Sequence, residues 1–256
     1  MSKKSACTTV NGAKTNTSGI RRSYILRLIG RIIVLGLCIG LWYFHPESFA
    51  VLEGSGFWRE FSPLHILWGL WVIDMICQLI PVKNHLPLGS QKLYQCRFQP
   101  IREKINYPAL REYVVSTTKA AYKVFILWVL LLAVIGGLHY MGIFNDITLF
   151  MITAVFYVCD LICVLIWCPF RLLMKTRCCT TCRIFNWDHL MMFSPMIFVN
   201  SFYARTLVLL AFAVFLVWEL CVMMYPERFW EHSNEALKCS ACTDKLCTQY
   251  CRKLRQ

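Results

Sequence analysis

Charge is what this chain has least of. Charged residues make up 16 % of its 256 residues, where a soluble domain averages about a quarter. Acids are the scarcer sign: 14 Asp+Glu stand against 27 Lys+Arg, for a net charge of +13. Also missing are a phosphate-cradling glycine loop, a Ser–His–Asp order and paired carboxylates in a soluble segment. Their absence removes the usual sequence signatures of nucleotide binding, triad hydrolysis and soluble acid–base catalysis. What is abundant is apolar surface, with 57 % hydrophobic residues and 15 cysteines. Intrinsic disorder is excluded, because disordered chains are poor in apolar residues. A nucleic-acid partner is excluded on charge distribution: the basic residues are split between apolar blocks and do not collect on one module. The composition is that of an all-α, polytopic integral membrane protein whose first partner is the lipid bilayer.

A helix needs about 20 apolar residues to cross a hydrocarbon core of about 30 Å. Five runs meet this plainly, at 24–44, 61–81, 124–144, 147–168 and 206–225. The stretch 184–200 is ambiguous. It carries Asn186, Asp188, His189 and Pro195 around a short apolar core, a pattern shared by spans and re-entrant segments.

Basic residues decide between them, because Lys/Arg-rich short loops stay cytoplasmic. Residues 1–23 contain Lys3, Lys4, Lys14, Arg21 and Arg22 and no acid. The loop 82–123 carries eight basic residues against Glu103 and Glu112, and the loop 169–183 carries Arg171, Lys175, Arg177 and Arg183 with no acid. Placing these and the basic tail on one side requires an even number of crossings between 183 and 226. Six spans follow, in a transmembrane domain 24–225 of the cytoplasmic membrane. A basic N-terminus (1–23) and a Cys-rich tail (226–256) then both lie in the cytoplasm. Arg21 and Arg22 before the first run resemble a signal-peptide layout, but the run is long and reads as an uncleaved first span. Within the loop 82–123, Pro108 suits a first helical turn. The amphipathic stretch 110–123 after it is expected to run along the interface into the third span, as an anionic-lipid contact or a plain solvated basic face.

The inward-running spans share a local pattern. Asp74 precedes Cys77, Pro81 and Lys83; Asp160 precedes Cys163, Pro169 and Arg171; Glu219 precedes Cys221, Pro226 and Arg228. At about 1.5 Å per residue the three acids lie roughly 9–14 Å from their exit prolines, in one layer. A carboxylate at membrane depth is costly and marks proton relays, ion sites or substrate counter-charges. The competing reading is a hydrogen bond between helices, typically worth under about 2 kcal/mol. His65 and His139 fall near the outer ends of their spans.

The cysteines divide by location. Cys38, Cys77, Cys159, Cys163, Cys168 and Cys221 lie within spans, and the other nine of 15 are cytoplasmic. The pairs Cys179/Cys182 and Cys239/Cys242 have the C-x2-C spacing of a four-thiolate zinc site. Cys178, Cys247 and Cys251 are additional candidate ligands. An iron–sulfur cluster uses the same donors, although the bacterial ferredoxin run is absent. Zinc bound there would fasten the tail to the loop 169–183. A membrane thiol oxidoreductase using Cys179 and Cys182 is a second reading, opposed by the cytoplasmic side on which the pair falls. A structural or assembly membrane protein is the third. His189 is a candidate ligand or base, set against a plainer reading in which Asn186 caps a helix start and Trp187 sits at the interface.

Overall fold

The computed structural model describes residues 17–59, 61–79, 98–101, 105–174 and 182–238. Among these the secondary structure is helical apart from two isolated β-bridges. The α-helices are α1 (Thr17–Phe44), α2 (Pro63–Leu79), α3 (Tyr107–Tyr140), α4 (Asp146–Leu165), α5 (Phe170–Met174), α6 (Asp188–Phe193) and α7 (Phe202–Met224). Four are long and apolar enough to cross a membrane: α1 over Arg22–Phe44, α3, α4 and α7. α2 is as apolar but has 17 residues, a length of about 25 Å.

Polar side chains set the helix starts. Asn106, Asn145 and Ser201 accept hydrogen bonds from the backbone N–H groups of Ala109, Thr148 and Ala204, satisfying donors that the first turn leaves open. Pro108 occupies the first turn of α3 as expected. The stretch 110–123 continues into the third span as expected, but it does not turn to lie along an interface first. It is the first half of one unbroken 34-residue helix, about 51 Å long, so it extends the third span beyond the hydrocarbon core and is no separate interfacial element. The projecting part is anchored by Tyr113, whose hydroxyl donates to the Phe229 carbonyl (3.2 Å) and whose ring stacks on Trp230. Gly142, at φ +75°, turns the chain from α3 into α4, a conformation that favours glycine.

Burial runs opposite to that of a soluble protein. Ile25, Leu26, Ile33, Leu37, Leu130 and Val134 on α1 and α3 are exposed, while Arg31, Asn186, Asp188 and His189 are buried. An apolar exterior of this extent is the surface that lipid covers. Trp42, Tyr43, Trp58 and Tyr140 are exposed around the end of the bundle that carries the loop 45–62, here called the upper end, in the manner of an interfacial aromatic belt. The main core lies between α2, α4, α7 and the 194–198 turn, around Trp71, Phe150, Phe193, Met196, Tyr203 and Leu207.

The ambiguous stretch is buried in the bundle, and it is not one helix. A 3₁₀ turn (Arg183–Trp187), the six-residue α6 and a second 3₁₀ turn (Ser194–Phe198) follow one another. It runs alongside α3. Arg183 bonds Thr118, Trp187 meets Phe125, Ser194 bonds Trp128, and Phe198 packs on Gly136 and Tyr140. Beyond it, Ser201 bridges to Gly54 in the upper loop. Because 3₁₀ turns rise about 2.0 Å per residue, the three pieces together reach roughly 29 Å. Pro195 explains one break. It has no N–H for the Met191 carbonyl, and the Ser194 hydroxyl donates to that carbonyl instead (2.9 Å), itself receiving the Trp128 indole N–H (3.0 Å). Irregular backbone of this kind at membrane depth needs protein around it, and Met192, Phe193 and Met196 are each at most 2 % exposed.

Candidate functional site: a buried ionic cluster beside a cavity

The break in the chain places Asp188 and His189 at the start of α6, facing α2 and α4. Asp188 Oδ1 accepts from the His189 backbone N–H (2.6 Å) and lies 2.8 Å from His189 Nδ1; Gln78 Nε2 of α2 donates to the same oxygen (3.4 Å). The other imidazole nitrogen, Nε2, lies 3.5 Å from Asp74 Oδ2. His189 therefore stands between two carboxylates from different elements. On the α4 side, Arg31 Nη1 of α1 donates to Asp160 Oδ2 (2.7 Å) and to the Tyr157 carbonyl (2.6 Å), with its guanidinium 3.9 Å from the Tyr157 ring centroid. Side-chain exposure is 8 % for Arg31, 9 % for Asp160, 7 % for His189 and 5 % for Asp188, against 38 % for Asp74. Asp74 is thus the member of the cluster that reaches toward the exterior. Three carboxylates share one guanidinium and one imidazole, and Arg27 of α1 adds a further positive charge acting on Asp74.

Two of the expected acids therefore belong to one site, and the third does not. Both Glu219 oxygens are engaged elsewhere: Arg183 donates through Nε (3.1 Å to Oε1) and through Nη2 to Oε2, and the Trp187 indole donates to Oε1 (2.7 Å). Arg183 also donates to Thr118 Oγ1 (2.5 Å). This fork is the clamp that holds the start of the broken segment between α3 and α7. Trp187 is a buried part of that clamp, and the Asn186 amide has no hydrogen bond among the described residues. Neither therefore plays the capping or interfacial part the sequence suggested. His65 and His139 serve local structure: His65 Nε2 donates to the Phe57 carbonyl (2.9 Å), and His139 Nδ1 donates to that of Phe144 (2.9 Å).

Beside the cluster lies a cavity of about 210 Å³. Its wall is almost wholly apolar, with Trp128, Phe156, Met191 and Met192 prominent, and Asp160 and Asp188 set into it. Cys182, one of the expected zinc ligands, is buried on this wall with Cys159, Cys163 and Cys168 nearby along it. Cys178, Cys179, Cys239, Cys242, Cys247 and Cys251 lie outside the described residues. Among the described residues, no three His, Cys, Asp or Glu side chains converge as metal ligands would.

Arg31, Gln78 and Asp188 were not singled out from the sequence. An arginine inside an apolar run was a usable signal for Arg31, since such residues pair within the bundle. No family model, no curated protein and no solved structure matches the chain.

Proposed function

We propose that this is a six-crossing protein of the cytoplasmic membrane, with both ends cytoplasmic, in which the Asp74–His189–Asp188 chain binds and relays protons. Three features support the topology. Among the described residues outside the ionic cluster, the basic side chains other than Arg59 and Arg205 belong to the element ends opposite the upper loop, as cytoplasmic segments do. The alternating directions of the four long helices and α2 leave one more traverse to be made between α5 and α7. The broken segment, at roughly 29 Å, is long enough to make it.

The observation that carries the functional reading is a buried histidine flanked by carboxylates on both ring nitrogens. An imidazole serves both only while it carries two N–H groups; with one it serves one carboxylate and releases the other. Loss of the Nε2 proton of His189 therefore releases Asp74 of α2, 3.5 Å away, while the 2.8 Å contact of Nδ1 with Asp188 stays. Asp74, 38 % exposed, is the group through which protons enter or leave. Discontinuous helices with polar groups at the break are the way membrane carriers build sites near the midplane, and Asp–His chains are a known form of proton relay.

Infrared difference spectra of the purified chain in lipid, taken between about pH 5 and about pH 11, a window wide enough for an imidazole flanked by two carboxylates, test this directly. Linked histidine and carboxyl bands are expected in the wild type, and His189→Gln is expected to remove both together. Carboxyl bands unchanged by His189→Gln would overturn the relay.

A further inference from the structure

The proton site adjoins a cavity that the relay itself does not use, and the chemistry of its wall is specific. Asp160 gives Oδ2 to Arg31, and Asp188 gives Oδ1 to His189 and Gln78. Both side chains are at least nine-tenths buried, and both residues line the cavity. Two buried carboxylates that share a cavity repel one another. A cation seated between them relieves that repulsion. Around them the wall is aromatic, thioether and thiol: Trp128, Phe156 and Phe170 with Met191 and Met192. Such a surface favours an apolar body and, through its rings, a positive charge. Arg171 also lines the wall and is itself engaged.

Size narrows the ligand further. A cavity of about 150 Å³ holds benzene, so about 210 Å³ has room for a single ring with a short side arm.

We infer that the cavity between α4 and the broken segment binds a small lipophilic organic monocation, an arylalkylammonium in size and chemistry, with its ammonium between Asp160 and Asp188. This names the substrate class of the proton site and rests on that reading for its physiological meaning.

Calorimetric titration of the full-length protein in lipid nanodiscs tests it, with phenethylamine, 2-phenylethanol and phenylacetate as probes of equal bulk and different charge. Phenethylamine should bind at least about ten-fold more tightly than the alcohol, because a charge-assisted hydrogen bond contributes more than a neutral one. Phenylacetate should not bind. Asp188→Asn should bring the amine close to the alcohol, and Met192→Trp, which fills the cavity, should abolish both. Equal affinity for amine and alcohol, stronger binding of the carboxylate, or no amine binding at all would each overturn the assignment. These wild-type comparisons decide the matter even if a variant fails to fold. Amine binding with no histidine-linked infrared bands would leave the cavity assignment standing and remove the relay; the bands without amine binding would do the reverse.

Discussion

Arg31 shows how costly the site is to maintain. Its guanidinium sits 8 % exposed on α1, where lipid surrounds much of the helix, and it bonds both Asp160 and the Tyr157 carbonyl. Removing one member of a buried pair leaves an uncompensated charge, typically at about 3–5 kcal/mol. Arg31→Met is therefore expected to lower stability strongly in an unfolding titration, whereas Arg31→Met combined with Asp160→Asn should recover most of the loss. An additive double variant would contradict the pairing. Tyr113, ahead of the apolar half of α3, makes a quieter contribution. Burial against Trp230 pushes its hydroxyl up to about 12. The folded value lies above the usual one, so this stabilisation is complete below about pH 10 and is lost as pH rises through about 12. Tyr113→Phe should remove the hydrogen bond to Phe229 at a cost of about 1 kcal/mol and flatten that alkaline loss.

The acids were legible at this scale and their partners were not. Asp74 and Asp160 stand out because charges inside apolar runs are rare. Nothing in the spacing shows that Arg31, 129 residues from Asp160, points at the same spot. Asp188 and His189 looked like the polar start of a helix because they are adjacent to Asn186 and Trp187. The three-acid layer was legible as depth alone. It grouped Glu219 with Asp74 and Asp160 because all three lie at similar heights, although height says nothing about which side of a helix a residue occupies.

At the scale of the element, the segment from Arg183 to Phe198 controls the design. Hydropathy could not classify it, because four polar or helix-breaking residues dilute a short apolar core. A rise of 1.5 Å per residue also understates its reach when much of it is 3₁₀. It is held at one end by the Arg183–Glu219–Trp187 clamp and at the other by Phe198 against Gly136. At Gly136 a Cβ would come within 2.5 Å of the Phe198 ring. Gly136→Leu should consequently push the segment off α3 and destabilise the fold by about 1–3 kcal/mol, read as a lower unfolding midpoint. Glu219→Gln weakens the clamp without touching the ionic cluster. It is expected to lower the midpoint while the histidine-linked infrared bands persist, and disappearance of those bands would return Glu219 to the proton site.

Across the whole molecule, four long apolar helices, an exposed apolar exterior and a buried polar cluster describe a multi-pass membrane protein. The segment between α5 and α7 is the part on which the remaining topology turns. If it crosses, it carries Asp188 and His189 between the two sides, and the chain has six traverses with both ends together. If it re-enters and leaves on the same side, the site faces one compartment and cannot relay. Short epitope insertions into the full-length protein resolve this, placed after residues 142, 174 and 200 and at the C-terminus, with access of antibody scored in sealed vesicles. The tags after 174 and at the C-terminus should report one side and those after 142 and 200 the other. A tag after 200 that reports the same side as the tag after 174 would contradict the crossing and, with it, the relay.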